Sequence, residues 1–519
     1  MVGNDQIAPT SLEWASRHVE RFGDTDIFPV PFEFDAIRAS WLDIKNELAS
    51  INLMKYRTRS PQILLMPKSR TSYRAAVQLD PLDALVYAAL IYEAAENIEK
   101  YRVPETQNIA CSFRLHVTAD GSLFEKENGW PRFHERSVEL ANSGKFTHVL
   151  IADIADFYNQ VSHHRVTNVL QLAGVAGDRS KNIEGFLSKL TAMHSRGLPV
   201  GPAASIVLAE ASLDDVDKFL ISRGLSYVRY VDDFRIFCGS EREAVDAAYA
   251  LAEYLYTAHR LVLTPSKTKL YSVKKFVTVE LLDPKEQEER GKVSKLKSRI
   301  EEILENTGYH IDFEELPESD LKQVTRENLK ELLRDAVNNR PLHIGLTRYL
   351  LRRAKYLRTT AVQKIVLDNL TKLAPIMREV IGYLSLSAKD QNVEAIQNAM
   401  LEHLSSSAVG TLPFVRMWGL ELFIKRPLRR FYPKVMKIAE DSRATLGVRP
   451  IALLARAHKE LQWVRAQKET WSNHSPWDRR AIIWAASVMG NDERKHWCKL
   501  VKETAPDSLD RAVATLAAQ

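Results

Sequence analysis

The stretch Tyr227–Cys238, Tyr-Val-Arg-Tyr-Val-Asp-Asp-Phe-Arg-Ile-Phe-Cys, constrains this chain more than any other. β-Branched and aromatic residues flank its acidic centre, a composition that suits a pleated, half-buried surface, so it predicts two short strands meeting at a hairpin. Asp232 and Asp233 then sit at the tip. Adjacent carboxylates repel each other, and a divalent cation is one reason for them to stay together. A solvated Asx turn is the alternative.

A second acidic site lies upstream. Phe146–Ile154 predicts a buried strand ending in Asp153, followed by Asp156-Phe157-Tyr158 and a helical stretch. An aspartate at one strand end and an Asp pair on a neighbouring hairpin can hold two Mg²⁺ ions between them. Two-metal phosphoryl transfer needs that arrangement: one ion activates the attacking hydroxyl and the other stabilises the leaving pyrophosphate.

Three fragments in order, Asp153-Ile-Ala-Asp-Phe-Tyr158, Gly197-Leu-Pro-Val-Gly-Pro-Ala-Ala-Ser205 and Tyr230-Val-Asp-Asp233, resemble motifs A, B and C of reverse transcriptases. Each is short and unspecific alone. Their order and strand contexts make the set specific. The resemblance implies that Asp153 and Asp232 ligate both metals with help from the Ile154 carbonyl, while Asp233 supports the site electrostatically. It also implies Mg²⁺, with Mn²⁺ as a substitute.

At 519 residues the chain exceeds what one core usually supports, and two or three domains are expected. With 45% hydrophobic and 27% charged residues it reads as a soluble globular protein. It has no run of about 18 apolar residues, and its first residues lack a basic-then-apolar leader pattern. The expectation is a cytoplasmic, bacterial protein that does not engage membranes. Cys111, Cys238 and Cys498 are too scattered for a disulfide framework or a structural zinc site.

The net charge of +6 is uneven. Residues 291–519 hold 38 Lys and Arg against 27 Asp and Glu, whereas residues 1–290 hold 34 against 39. A basic surface of this kind can track a phosphate backbone; solvated faces of amphipathic helices account for it equally well.

Residues 1–110 alternate helical and extended patterns, with a helix start at Asp80-Pro81-Leu82-Asp83 and an apolar-periodic run from Ala84 to Ile98. By resemblance this region forms fingers that hold the incoming triphosphate. Arg74 and Arg114 are its candidate residues, since a guanidinium fork matches phosphate oxygens; surface salt bridges are the alternative. Tyr158 lies where retroviral enzymes carry an aromatic gate against a ribose 2′-hydroxyl, which implies a preference for deoxynucleotides. Phe157, counted with it at the nucleotide site, also fits a core aromatic. His163 and His164 read as surface or packing residues.

In the second motif Gly197 and Gly201 bracket a turn that lets the main chain approach a flat partner, and Pro202-Ala-Ala-Ser begins a helix. Gly201 is therefore placed against the nucleotide. Most templated reverse transcriptases carry a glutamine where this chain has Val200, and valine cannot hydrogen-bond. Downstream, Glu241–His259 predicts a long amphipathic helix, and Leu261–Tyr271 resembles motif D. Its Lys267 is a candidate to protonate or neutralise the pyrophosphate; a surface-loop lysine needs no such role. Phe276–Leu282 is expected to be the last strand.

A charged break begins at Asp283, and residues 301–320 hold eight acidic and no basic side chains, which places a boundary near 290. Leu-rich periodic runs then predict helices at 321–338, 342–357, 361–372, 376–385, 391–404, 414–424, 445–457, 477–488 and 507–518, with prolines recurring at 341, 375, 413, 450 and 476. The expected fold is α+β: fingers over 1–110, a palm over 111–290, and an all-α, HEAT-like repeat over 291–519 in place of a thumb.

Polymerase motifs followed by such helices resemble the Abi-type reverse transcriptases of bacterial abortive-infection systems. That resemblance implies phage defence and template-independent, protein-primed synthesis from dNTPs. It further implies a single-stranded DNA product attached to the protein and a homo-oligomer, a trimer or hexamer. A templated RNA-directed DNA polymerase and a catalytically silent nucleic-acid-binding scaffold are the alternatives.

Overall fold

The computed structural model describes residues 5–69, 71–125, 129–281, 325–339 and 342–519. Among them six strands form two sheets. Strands β1 (Gln62–Pro67) and β2 (Tyr73–Gln78) make an antiparallel hairpin. Strands β3 (His148–Asp153), β4 (Ser226–Tyr230), β5 (Asp233–Cys238) and β6 (Lys269–Ser272) form an antiparallel sheet in the order β4-β5-β3-β6. No helix among the described residues is long and apolar enough to cross a membrane.

The chain divides into two compact units whose segments interleave. One comprises Met1–Asp26, Leu48–Pro61 and Asp83–Glu315, the other Ile27–Glu47, Gln62–Leu82 and Leu316–Gln519. The β1-β2 hairpin, which belongs to the expected fingers segment, thus groups with the C-terminal helices. The expected boundary near 290, the charged stretch from Asp283 and the acidic residues 301–320 lie outside the described residues.

In the first unit the four-stranded sheet carries the core. Val149, Ala152, Val228, Phe234, Ile236 and Phe237 are buried, as the near-continuous apolar strands require. Helices Trp130–Asn142, Ala203–Ser212 and Glu241–Tyr254 belong to the same unit, as does Pro81–Tyr101 from Asp83 onward. Glu241–Tyr254 starts at Ser240, whose side chain accepts a hydrogen bond from the Glu243 amide, and it ends in a wider i→i+5 turn over Leu255–His259. The last strand falls earlier than Phe276–Leu282. It is β6, and Val273–Val279 is a helix instead. Ser272 caps that helix by accepting from the Lys275 amide, and Phe276 is buried edge-on against Phe237.

Besides the β1-β2 hairpin, the second unit contains a row of helices. Arg326–Asn338 packs on Ile344–Tyr356, which packs on Met377–Ser387; Pro413–Lys425, Arg449–Ala457, Pro476–Ala485 and Ser508–Ala517 continue the row, each on its predecessor. The recurring prolines explain the spacing. Pro413, Pro450 and Pro476 occupy first-turn positions, where a missing N–H costs nothing. Between the members of the row lie Gln363–Asp368, Val393–Ser406, Tyr432–Asp441, Leu461–Lys468 and Asn491–Thr504. Of these, Tyr432–Asp441, Leu461–Lys468 and Asn491–Thr504 were not predicted. Each buries a narrow stripe, such as Trp497, Cys498 and Val501 in the last.

Candidate active site

Three aspartates meet where β3 ends beside the β4-β5 hairpin. Asp153 is the last residue of β3 and pairs across the sheet with Asp233, the first residue of β5. Asp232 occupies the turn between β4 and β5. One carboxylate oxygen from each lies within 4.8 Å of the others. The Ile154 amide donates to the Asp232 carbonyl at 3.2 Å, tying the strand end to the hairpin turn. The turn itself is strained: Val231, a β-branched residue, holds φ at +51°, a position that two-residue hairpins normally give to glycine.

The electrostatics match a cation site. Burial, then the charges of Asp232 and Asp153, push the Asp233 carboxyl up to about 7, and Lys267 and Arg235 only partly offset this. Asp153 is held from its other side. Thr264 donates its hydroxyl to Oδ1 at 2.7 Å, and Lys267 places Nζ 2.6 Å from Oδ2. Partial desolvation lowers the Lys267 pKa, but the hydrogen bond and charge of Asp153, with Asp233 and Asp232 behind it, raise it overall. Three hard oxygen donors in mutual repulsion fit Mg²⁺ or Mn²⁺.

Beneath the turn lies a balanced set of buried ions. Arg229 on β4 is wholly buried; its Nε and Nη2 donate to the two Asp217 oxygens at 2.9 and 2.5 Å. Its Nη1 donates to Glu210 Oε2 at 3.1 Å and to the Val231 carbonyl at 2.8 Å. Arg102 Nη2 shares Glu210 Oε2 at 2.8 Å. Burial raises the Glu210 pKa, and Arg229 and Arg102 more than reverse that, so it stays ionised. Sequence reading passed over Thr264, Arg229, Glu210 and Asp217. The available signal was Arg229 itself, a cation inside an apolar strand that demands buried partners.

The remaining predicted residues divide. Tyr158 is half-buried, and its carbonyl accepts from the Leu198 amide at 2.8 Å, so the first motif holds the second. Gly197 has φ +102° and Gly201 φ +140°, as their turn requires. Phe157 is buried, edge-on to Tyr158. Arg114 differs from the expectation of a phosphate-facing fork. It is 3% exposed, with Nη2 2.5 Å from Glu99 Oε1 and Nη1 donating to the Val103 carbonyl at 3.1 Å. Those partners satisfy its charge inside the unit. Arg74 lies on β2, opposite Met66, in the second unit. Lys267 reaches Asp153 directly.

No curated protein matches the sequence. Solved structures with some likeness include telomerase from Candida albicans with a TWJ fragment of telomeric RNA, at 14% identity, 75% coverage of this chain, 71% of that chain and TM-score 0.30. Apo telomerase from Candida tropicalis gives 11%, 81%, 73% and 0.32 in the same order. These values are too low to bear on activity. Residues 66–307, which contain all three acidic positions, match the family described as reverse transcriptase (RNA-dependent DNA polymerase). The chain carries a reverse-transcriptase domain.

Proposed function

We propose that this protein is a divalent-metal-dependent DNA polymerase that joins dNTPs without a template, primed by a hydroxyl of the protein itself. The observation that carries the polymerase reading is the cluster of Asp153, Asp232 and Asp233 within a matched reverse-transcriptase domain. Asp153, Asp232 and the Ile154 carbonyl would hold two Mg²⁺ ions. Bound there, the ions would supply charge for the triphosphate and a lowered pKa for the attacking hydroxyl. Asp233 adds negative potential behind them. Lys267 would release Asp153 and bring its proton or charge to the pyrophosphate. Tyr158 sets the sugar preference, Gly201 brings backbone close to the base, and Phe157 backs the Tyr158 ring.

Template independence is supported by Val200, which offers no side-chain hydrogen bond in the second motif, and by the row of helices where a copying enzyme needs only a thumb. The same features support the Abi-type reading, with a phage-defence role, a homo-oligomer and DNA attached to the protein. A templated enzyme is the second reading, favoured by the description of the matched family.

The test is to incubate purified protein with Mg²⁺ and labelled dNTPs, with and without a primed RNA. We expect label that migrates with the protein after denaturation and whose composition follows the dNTPs supplied. Faithful copying of the RNA, with no protein-bound label, would overturn template independence and leave the polymerase reading standing. No incorporation under either condition would overturn both.

A further inference from the structure

The turn that carries Asp232 cannot keep its shape on local preference alone. Val231 sits at φ +51°, where a β-branched side chain is strained. A relaxed turn would shift the Asp232 side chain even with its carbonyl tied to the Ile154 amide. Both backbone groups of Val231 are gripped. Its amide donates to Ser112 Oγ at 2.8 Å, and its carbonyl accepts from Arg229 Nη1 at 2.8 Å.

Each grip is anchored in turn. Ser112 donates its hydroxyl to Glu210 Oε1, so the one hydroxyl acts as donor to the carboxylate and acceptor from the turn. Glu210 Oε2 meets Arg229 and Arg102, and Arg229 is fixed by the fork on Asp217. The backbone holds Ser112 in place as well: the Arg229 amide donates to the Ile109 carbonyl at 2.8 Å and the Cys111 amide to the Arg229 carbonyl at 3.0 Å. Ser112, Glu210, Asp217 and Arg229 are all 2% exposed or less. A buried ion set of this kind adds little net stability, and specifying one geometry is a better account of it.

We infer that Ser112 and Arg229, anchored by Glu210 and Asp217, are positioning residues that latch Val231 in its strained conformation and thereby set the Asp232 carboxylate for metal binding. The inference rests on the proposed metal site, and it needs no nucleotide turnover to be tested.

The decisive measurement is Mn²⁺ affinity of the full-length protein, read from the free-ion EPR signal, in a double-mutant cycle of Ser112→Ala and Val231→Gly. Glycine adopts positive φ without strain, so the latch loses its purpose in that background. Ser112→Ala should weaken Mn²⁺ binding about tenfold with Val231 present and no more than about twofold in the Val231→Gly protein. Unfolding midpoints of all four proteins are measured alongside, because a purely structural loss would lower the midpoint by the same amount in both backgrounds. Ser112→Cys keeps a weaker donor and acceptor at the same place; it should fall between serine and alanine, and it carries the test if the alanine variant does not fold. An equal effect of Ser112→Ala in both backgrounds, or none in either, overturns the latch. Mn²⁺ failing to bind the unmodified protein overturns the metal site and the latch with it. Absent nucleotide incorporation with the Mn²⁺ coupling intact overturns the polymerase reading alone.

Discussion

Lys267 sets its ammonium 2.6 Å from Oδ2 of Asp153, the carboxylate that closes β3 and faces Asp233 in the sheet register. The lysine side chain is 62% exposed, so this is a pair at the site's mouth, screened by water on one side. It occupies an oxygen that a cation would need. Lys267→Met should therefore tighten Mn²⁺ binding by about twofold to fivefold, the worth of an exposed pair. Weaker binding on calorimetric titration would show that the lysine organises the site instead of competing for it.

Asp232→Asn removes one of three repelling carboxylates and, on the proposed reading, a ligand shared by both metals. Incorporation should fall at least about a hundredfold. The unfolding midpoint in metal-free buffer should rise at the same time, because the like-charge repulsion that pushes Asp233 up is relieved. Substantial incorporation by the folded variant would remove Asp232 from the site.

The pH dependence of metal binding follows from Asp233. In the metal-free site this carboxyl titrates near pH 7, with burial the largest cause and Asp232 and Asp153 next. Below that pH the triad holds a proton that the metal must displace, so apparent Mg²⁺ affinity should fall about tenfold per pH unit. The sign for stability is the reverse of an ordinary salt-bridged acid. The folded value lies above the unfolded one, so the metal-free protein loses stability as pH rises through 7, and Mg²⁺ restores it. Calorimetry in two buffers of different ionisation heat measures the proton released. Zero release at pH 6 would contradict the assignment.

Tyr158 is half-buried beside the first acidic motif, its backbone fixed by Leu198. Tyr158→Ala should admit ribonucleotides more readily, lowering the dNTP-to-rNTP ratio of kcat/KM by about tenfold or more. An unchanged ratio would reduce the ring to packing.

The second unit offers a test of stability. Glu33 is fully buried, with Oε1 and Oε2 at 2.6 and 2.8 Å from the Arg449 fork, and Arg480 is beside it and bound also to Asp80. Burial raises the Glu33 pKa, and the two arginines more than reverse that. Glu33→Gln strands buried guanidinium charge and should cost about 3–5 kcal/mol, a drop of roughly 10 °C in the melting of that unit. Because the native value is lowered, this stabilisation is present above the ordinary carboxylate range and disappears as pH falls through the native pKa. The variant should accordingly lose less stability than the parent on acidification; identical acid-unfolding curves would show that Glu33 is not the linked group.

Local chemistry made much of this protein legible from its residues alone. The strands around Asp153 and Asp232, the helix after Pro202 and most of the C-terminal helices follow from apolar periodicity, and prolines mark several starts because their position in a first turn is a property of one residue. The acidic cluster was legible because two adjacent aspartates in an apolar hairpin are costly without a purpose. Tertiary structure decided what depends on partners distant in sequence. Phe276 is in a helix because Ser272 caps it and Phe237 receives the ring. Arg114 turns inward because Glu99 lies within reach of its fork. Helices such as Asn491–Thr504, half of whose residues are charged, show no broad apolar stripe and are held by the few residues they bury. The grip on Val231 is of the same kind: Ser112, Glu210, Asp217 and Arg229 lie on four separate segments, and only folding brings their charges and hydroxyl to one turn.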